Sequence, residues 1–421
     1  MLTAEENEVL TRVGPGTPMG QVLRRYWTPA LLSEELPEPD GRPVAVRLLG
    51  EDLVAFRDTR DLVGLLEERC PHRRASLLFA RNEECGLRCI YHGWKFDVTG
   101  QCVDMPTEPE GSEFMRKVRA VAYPVREVAG VVWAYLGPPE QVPPFPTFKW
   151  LQLWPRQSKE WKVLEECNYA QAIEGGIDTA HVGFLHRRTP WGAQDENPNV
   201  VHTAPRLEVQ YTSYGFRYAA VRTLPEAREY VRITPFILPW YTVVPPGNLG
   251  QAQGGYRVVN GWVPRDDYST WHFQYLYNPD GPIDVAERIE EGGLWLDANY
   301  RKLRNRDNAY LQDREAMRTR NYAGVEGIIT EDHMANESQG MILDRTQEHL
   351  GTTDIAVIAM RRLLLRCAKL SAAGQAPPGL DPAILFDRIT SESSVHPTGI
   401  PWQELCPLDP ALAGAVPATL D

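Results

Sequence analysis

Two cysteine–histidine pairs stand close together in this chain, Cys70-x-His72 and Cys89-x-x-His92, with sixteen residues between them. Each offers one thiolate and one imidazole within two or three residues, donor types suited to borderline metals. Together they could hold one tetrahedral zinc, or a [2Fe–2S] cluster with both cysteines on one iron and both histidines on the other. Structural zinc sites more often group the two cysteines and then the two histidines. Here each pair mixes the types, which favours the cluster. Cys85 breaks the pairing and reads as a packed or idle thiol. Cys102, Cys167, Cys367 and Cys406 have no partner at ligand spacing and read as small buried hydrophobes.

A second constellation lies in "NYAQAIEGGIDTAHVGFLHR", where Asp178 and His181 are three residues apart and His186 follows five further on. On a regular helix five positions turn about 140° past a full revolution, so His181 and His186 would splay apart. The backbone must bend, and Gly183 between them permits it. Two histidines and one carboxylate on one face of an octahedron leave positions open for O2 on a non-haem Fe(II). The carboxylate need not be local. "ITEDHMANESQGMILDRTQEHLGTTD" offers Glu331, Asp332, Glu337 and Asp344, with His333 as a further donor, although a lone Asp at a helix start is otherwise an N-cap.

These groups need a scaffold, and 421 residues suffice for two or three domains. Apolar residues are 43% and charged residues 24% of the chain, ordinary globular usage, which excludes disordered and fibrous classes. A net charge of −12 argues against a nucleic-acid partner. No apolar run reaches membrane-span length, and the N-terminus lacks the basic and apolar regions of a signal peptide, so a cytoplasmic protein is expected. Seven cysteines do not form a disulfide pattern.

Residues 45–136 read as short β-strands broken by Gly, Asp and Pro. The proline-dense "GPPEQVPPFPTFKW" then favours an extended connector. Domains of 1–145 and 146–421 follow. In the second, 161–186 reads as helical, strands return in "YGFRYAAVRTL", "EYVRITPFIL", "YRVVNGWVP" and "STWHFQYLY", and 283–320 is charged and helix-favouring. "DIAVIAMRRLLLRCAKL" has the spacing of a packed helix. The expectation is α+β, an antiparallel sheet carrying helices.

The first motif resembles the Rieske signature, including the trailing Gly93, Trp94 and Lys95-Phe96-Asp97. The second is similar to the D-x-x-H-x-x-x-x-H signature of Rieske non-haem iron oxygenases. "TRVGPGTPMGQVLRRYWTPAL", "EGGIDTAH" and "ESQGMILDRTQEHLGTTD" extend the resemblance over nearly the whole chain, to the phthalate dioxygenase-like branch of ring-hydroxylating oxygenases. It implies an N-terminal all-β Rieske [2Fe–2S] domain plus a C-terminal helix-grip catalytic domain. By the resemblance, Cys70, His72, Cys89 and His92 hold the cluster, and His181, His186 and Asp332 hold mononuclear iron. Asp178 would bridge an iron-binding histidine to a Rieske histidine of a neighbouring subunit, which implies a homotrimer, with stacking into hexamers open. Asn168 matches a polar residue near the iron, where hydrogen bonding to the site and plain helix surface are both open.

The implied partners are an NAD(P)H-dependent flavin/iron-sulfur reductase, O2 and an aromatic substrate, typically a carboxylate such as phthalate or a phenoxy- or chlorobenzoate. Arginine suits such a substrate by bidentate pairing. Arg217, Arg222, Arg232 and Arg257 are candidates. Arg217 ranks first, because alternation puts it with Gly215, Ala219 and Val221 on an apolar face where it would need a partner. The rival class is a Rieske electron carrier or binding protein without oxygenase activity, which would have no reason to keep Asp178, His181 and His186 together.

Overall fold

Antiparallel hairpins build the N-terminal half. A computed structural model describes residues 1–188, 195–246 and 255–413. In it the strands Val44–Leu48, Glu51–Arg57 and Val63–Glu67 form one antiparallel sheet. The turn between the first two is Leu49 and Gly50, with φ of 49° and 79°, the left-handed pair that matches the twist of a two-residue hairpin. A second sheet contains Arg81–Glu83, Gly86–Arg88, Lys95–Phe96 and Cys102–Asp104. Its first turn is Glu84 and Cys85, again both at positive φ, so Cys85 is a turn residue. A third sheet joins Thr28–Leu32, Val131–Ala134 and Val125–Val128.

The C-terminal half centres on an eight-stranded antiparallel sheet. Across it run Ser158–Glu165, Thr270–Tyr277, Arg257–Pro264, Tyr241–Val244, Arg228–Ile237, Gly215–Leu224 and Arg206–Thr212, with Glu392–Pro397 pairing off this path with Arg228–Ile237. The helix expected over 161–186 is corrected at its start. Residues 158–165 are a strand, paired along its whole length with 270–277, so that Trp161 faces Gln274 and Val163 faces His272. Local helix propensity there gives way to a pairing more than a hundred residues distant. Over 283–320 only Val285–Gly292 and Ala316–Thr319 are α-helical. Ala309, Tyr310 and Leu311 all take φ near 50°, a conformation that breaks a right-handed helix.

The helix Ile355–Ala372 forms as its spacing predicts, burying Ala356, Met360, Leu363, Leu364 and Cys367. The helices Ala4–Thr11 and Pro18–Leu23 pack against it. Tyr169 donates from its hydroxyl to Leu10 O at 2.8 Å. The N-terminal helical segment, grouped by sequence with the first domain, thus packs on the second. Among the described residues no helix is long and apolar enough to cross a membrane.

Candidate metal centres and catalytic cavity

The two cysteine–histidine loops fold the same way. Cys70 N–H donates to Ala75 O and Arg74 N–H to Cys70 O, each at 2.9 Å; Cys89 N–H donates to Trp94 O and Gly93 N–H to Cys89 O, each at 2.9 Å. In both loops the fifth residue, Arg74 or Gly93, has positive φ. Two matching knuckles therefore present Cys70 and Cys89, both buried, opposite each other, with His72 and His92 nearer the surface. The imidazoles meet edge to face with centroids 4.4 Å apart, and His72 stacks on Trp94 at 4.1 Å.

His72 Nδ1 is buried without a hydrogen-bond partner among the described residues, an orphaned donor atom of the kind a metal ligand leaves. Burial, with Cys89 alongside, pushes the Cys70 thiol up to about 11, so a strong Lewis acid is needed to hold it as thiolate. The tight three-ligand groupings among the described residues lie elsewhere. These four donors do not crowd about one point as a single zinc requires, and they suit a cluster with two irons.

The second site begins where the helix Tyr169–Ile177 ends. Asp178 is extended, and its Oδ1 accepts from Ala180 N–H at 2.7 Å, a local turn that competes with further helix. The bend expected at Gly183 therefore comes earlier, and His181–Gly183 is a single 3₁₀ turn. Gly183 serves close approach instead, since a Cβ there would lie 2.2 Å from Asn199 O. The helix is anchored one turn before its end, where Glu174 accepts from Arg345 Nε at 2.8 Å and Arg361 Nε at 2.7 Å.

His181 and His186 converge with Asp332, which lies inside the helix Ile328–Ser338. The two Nε2 atoms are 3.2 Å apart, and Asp332 Oδ1 lies 2.9 Å from His186 Nε2 and 3.5 Å from His181 Nε2. Ligands about 2.1 Å from one ion at right angles would be about 3 Å apart, so three donors of this kind fit a mononuclear centre. The field agrees. Burial lowers the His186 pKa, yet Asp332 and Glu331 override it and push it up to about 9, so positive charge is favoured here.

Glu331, fully buried, sets the ring. Its Oε2 is 2.7 Å from His186 Nδ1, and Arg188 clamps both its oxygens. This partner was missed in the sequence as an orienting group, though Glu331 stood among the candidate ligands. Asp178 Oδ2 lies 3.7 Å from His181 Nδ1. Burial raises the Asp178 carboxyl, but His181 and the N–H groups of Ala180 and His181 outweigh it and hold it below its usual value.

A cavity of about 120 Å³ opens on these ligand atoms, with Asp178, Tyr218, Arg232, Asn260, Trp262 and Ile329 in its wall. That is several times the roughly 10–15 Å³ one water needs. Arg217, the first sequence choice, is not in that wall. It lies on the opposite face of its strand, donating to Gln210 Oε1 at 2.8 Å and Cys406 O at 2.6 Å with its guanidinium over Trp402. The apolar face inferred from alternation exists, but Trp402 covers it.

Arg257 also misses the cavity, whose wall takes its chain neighbours Tyr256 and Val258, and it donates to Gly255 O at 3.1 Å. Asn168 is a buried clamp: its Oδ1 caps the helix at Ala170 N–H, and its Nδ2 donates to Thr11 O and Asp267 O. The arginine that does reach the cavity is Arg232. Among the described residues its Nη1 reaches only Thr179 Oγ1, at 3.3 Å, and its buried Nε has no partner. Burial lowers its pKa, and Arg222 behind it is lowered to about 10 by burial and by Arg232 itself.

The chain matches two known families in tandem, the Rieske [2Fe–2S] domain over residues 26–125 and the LigXa C-terminal domain like family over 134–409. It is 42% identical to the phthalate 4,5-dioxygenase oxygenase subunit of Pseudomonas putida, covering 96% of this chain and 94% of that one. The chain belongs to the Rieske non-haem iron oxygenases. It is 36% identical to the 3-chlorobenzoate-3,4-dioxygenase oxygenase subunit of Comamonas testosteroni, over 96% of this chain and 97% of the other. The fold is that of dicamba monooxygenase, with a TM-score of 0.60 at 20% identity over 83% of this chain and 99% of that one.

As a Rieske oxygenase subunit the chain is an enzyme using O2, with a Rieske [2Fe–2S] cluster and a mononuclear non-haem iron as cofactors and a reductase as electron donor. The carrier-only alternative is set aside, since the relatives matched over the whole chain are oxygenase subunits.

Proposed function

We propose that this Rieske oxygenase hydroxylates an aromatic carboxylate whose carboxylate pairs with Arg232. One observation carries the reading: a guanidinium only 5% exposed, with no acidic partner among the described residues, stands in the wall of the cavity that contains the three ligand atoms. A buried unpaired charge is costly, and a substrate carboxylate would relieve it and the repulsion from Arg222. The relatives are consistent with that class, being named for phthalate and 3-chlorobenzoate.

In this reading Cys70, His72, Cys89 and His92 hold the cluster, and His181, His186 and Asp332 hold the iron, which supplies O2 activation when bound. Glu331 keeps the His186 proton on Nδ1 and leaves Nε2 free to ligate. Trp262 and Ile329 form apolar wall for the ring and exclude water. Asp178 would carry the electron between a Rieske histidine of one subunit and His181 of the next, within a homotrimer fed by an NAD(P)H-dependent flavin reductase.

The test is an absorption spectrum and iron count of protein purified without added metal, then calorimetric titration with benzoates and turnover with a surrogate reductase. About three irons per chain, two in the cluster and one beside His186, are expected, together with binding of benzoates. A colourless zinc protein, or an iron-replete one that ignores aromatic carboxylates, would overturn the reading.

A further inference from the structure

Behind the iron site Glu165, His272 and His333 bring one ligand atom each within 4.8 Å of one another. Lys302 argues against a second metal there. Its ammonium reaches Leu164 O at 3.0 Å, His333 Nδ1 at 2.7 Å and Glu337 Oε1 at 3.1 Å, and an ammonium only donates. His333 Nδ1 is therefore an acceptor and its proton sits on Nε2, the atom a metal would need. That nitrogen faces His272 Nδ1 at 3.0 Å, so His272 accepts there and carries its own proton on Nε2. His272 Nε2 then donates to Asn260 Oδ1 at 3.1 Å.

A second chain of hydrogen bonds reaches the same oxygen from the other side. The Trp161 indole, also donor-only, gives its N–H to Gln274 Oε1 at 2.8 Å. This turns the Gln274 amide nitrogen toward Asn260 Oδ1, at 2.6 Å. Register produces the row, since Trp161, Gln274 and Asn260 are direct partners on three adjacent strands, while His272 is fixed by stacking on Trp262. Flipping the Asn260 amide would set its NH2 against two incoming N–H groups and lose both bonds. With Oδ1 so occupied, Nδ2 donates to no described residue, and Asn260 lines the cavity.

We propose that Lys302 and Trp161, neither of which lines the cavity, lock Asn260 as a two-proton donor facing the substrate, and so select a benzoate bearing a second acceptor oxygen. That oxygen could be a carboxylate, carbonyl or ether. The inference rests on the aromatic-carboxylate reading above and deepens it. Asn260 is the recognition residue, and Lys302 and Trp161 are positioning residues.

The experiment is calorimetric titration of the iron-loaded protein with the three isomeric benzenedicarboxylates and the three isomeric aminobenzoates, in which an amine donor replaces one acceptor. The wild-type protein should favour its best dicarboxylate. Asn260→Asp, which replaces the donor by an acceptor of the same shape, should cut that preference at least about tenfold, as expected for a hydrogen bond to a charged group. Trp161→Phe and Lys302→Met should each narrow it in the same direction by roughly threefold, since either releases one anchor of the amide.

A purely structural role for Lys302 or Trp161 would lower the melting temperature and scale both ligand series equally. Should Lys302→Met fail to fold, Trp161→Phe carries the test without a charge change. If no benzoate binds the wild-type protein, the aromatic-carboxylate reading fails. If benzoates bind and the preference is unchanged in the folded variants, the lock is overturned.

Discussion

His186 Nδ1 lies 2.7 Å from Oε2 of Glu331, a carboxylate with no exposure to solvent, while its other ring nitrogen turns to Asp332 at 2.9 Å. The carboxylate–imidazole pair fixes which nitrogen is free and raises its basicity. Glu331→Gln keeps the shape but weakens the acceptor and leaves Arg188 without its ion pair. Iron affinity, measured by competition with a chelator, should fall by about 10- to 100-fold, the usual cost of losing such a support. Cluster absorbance should not change. Unaltered iron retention would mean that Asp332 alone orients the ring.

Arg232 and Arg217 separate substrate recognition from stability. Arg232→Met should weaken binding of a benzoate by about tenfold or more, the cost of a lost charge-assisted pair. Arg217→Met should leave that binding alone and lower stability by about 1–3 kcal/mol, because the hydrogen bonds to Gln210 and Cys406 and the contact with Trp402 go with it. Calorimetric binding and thermal melts on both variants check this, and an affinity loss in Arg217→Met would reverse the assignment.

The contrast between these two arginines shows where sequence runs out. Period-two alternation separated the faces of the strand Gly215–Leu224, and the structure has those faces. Every residue from Gly215 to Arg222 is buried, however, so polarity could not tell which face meets the cavity; the cover over Arg217 comes from Trp402, far along the chain. His181 and His186 stood out because their spacing is local, whereas Asp332, far along the chain, was singled out among its neighbours only by the resemblance, and the fold brings it beside them. His272 did not stand out, being a lone histidine in an apolar strand whose partners Asn260 and His333, with Lys302 bonded in turn to His333, are gathered only by the fold. The start of the helix expected over 161–186 was misread for the same reason, since the strand there, 158–165, pairs with 270–277.

Asp178→Asn tests the electron path. The amide keeps the side chain's shape and its turn at Ala180 but removes the charge 3.7 Å from His181 Nδ1. Both metal centres should load normally, and reduction of the cluster by dithionite should be unchanged. Product formation with reductase should fall by at least about two orders of magnitude if the carboxylate is the bridge between centres. Normal coupled turnover in this variant would remove Asp178 from that role.

Glu165 makes stability depend on pH. Burial is the main cause raising its carboxyl from 4.5 to about 8, with Glu337 adding to it against Asn336 and Lys302. Below 4.5 folded and unfolded chains both hold this proton. Between there and about 8 only the folded chain does, so the unfolded state gains by releasing it and stability falls as pH rises, until the loss is complete above about 8. Glu165→Gln, neutral at every pH and still able to accept from Asn336, should remove that slope. Its melting temperature should therefore gain on the wild-type protein progressively between about pH 5 and about pH 8. A constant offset across that range would mean that Glu165 is ionised in the folded protein, balanced by Lys302.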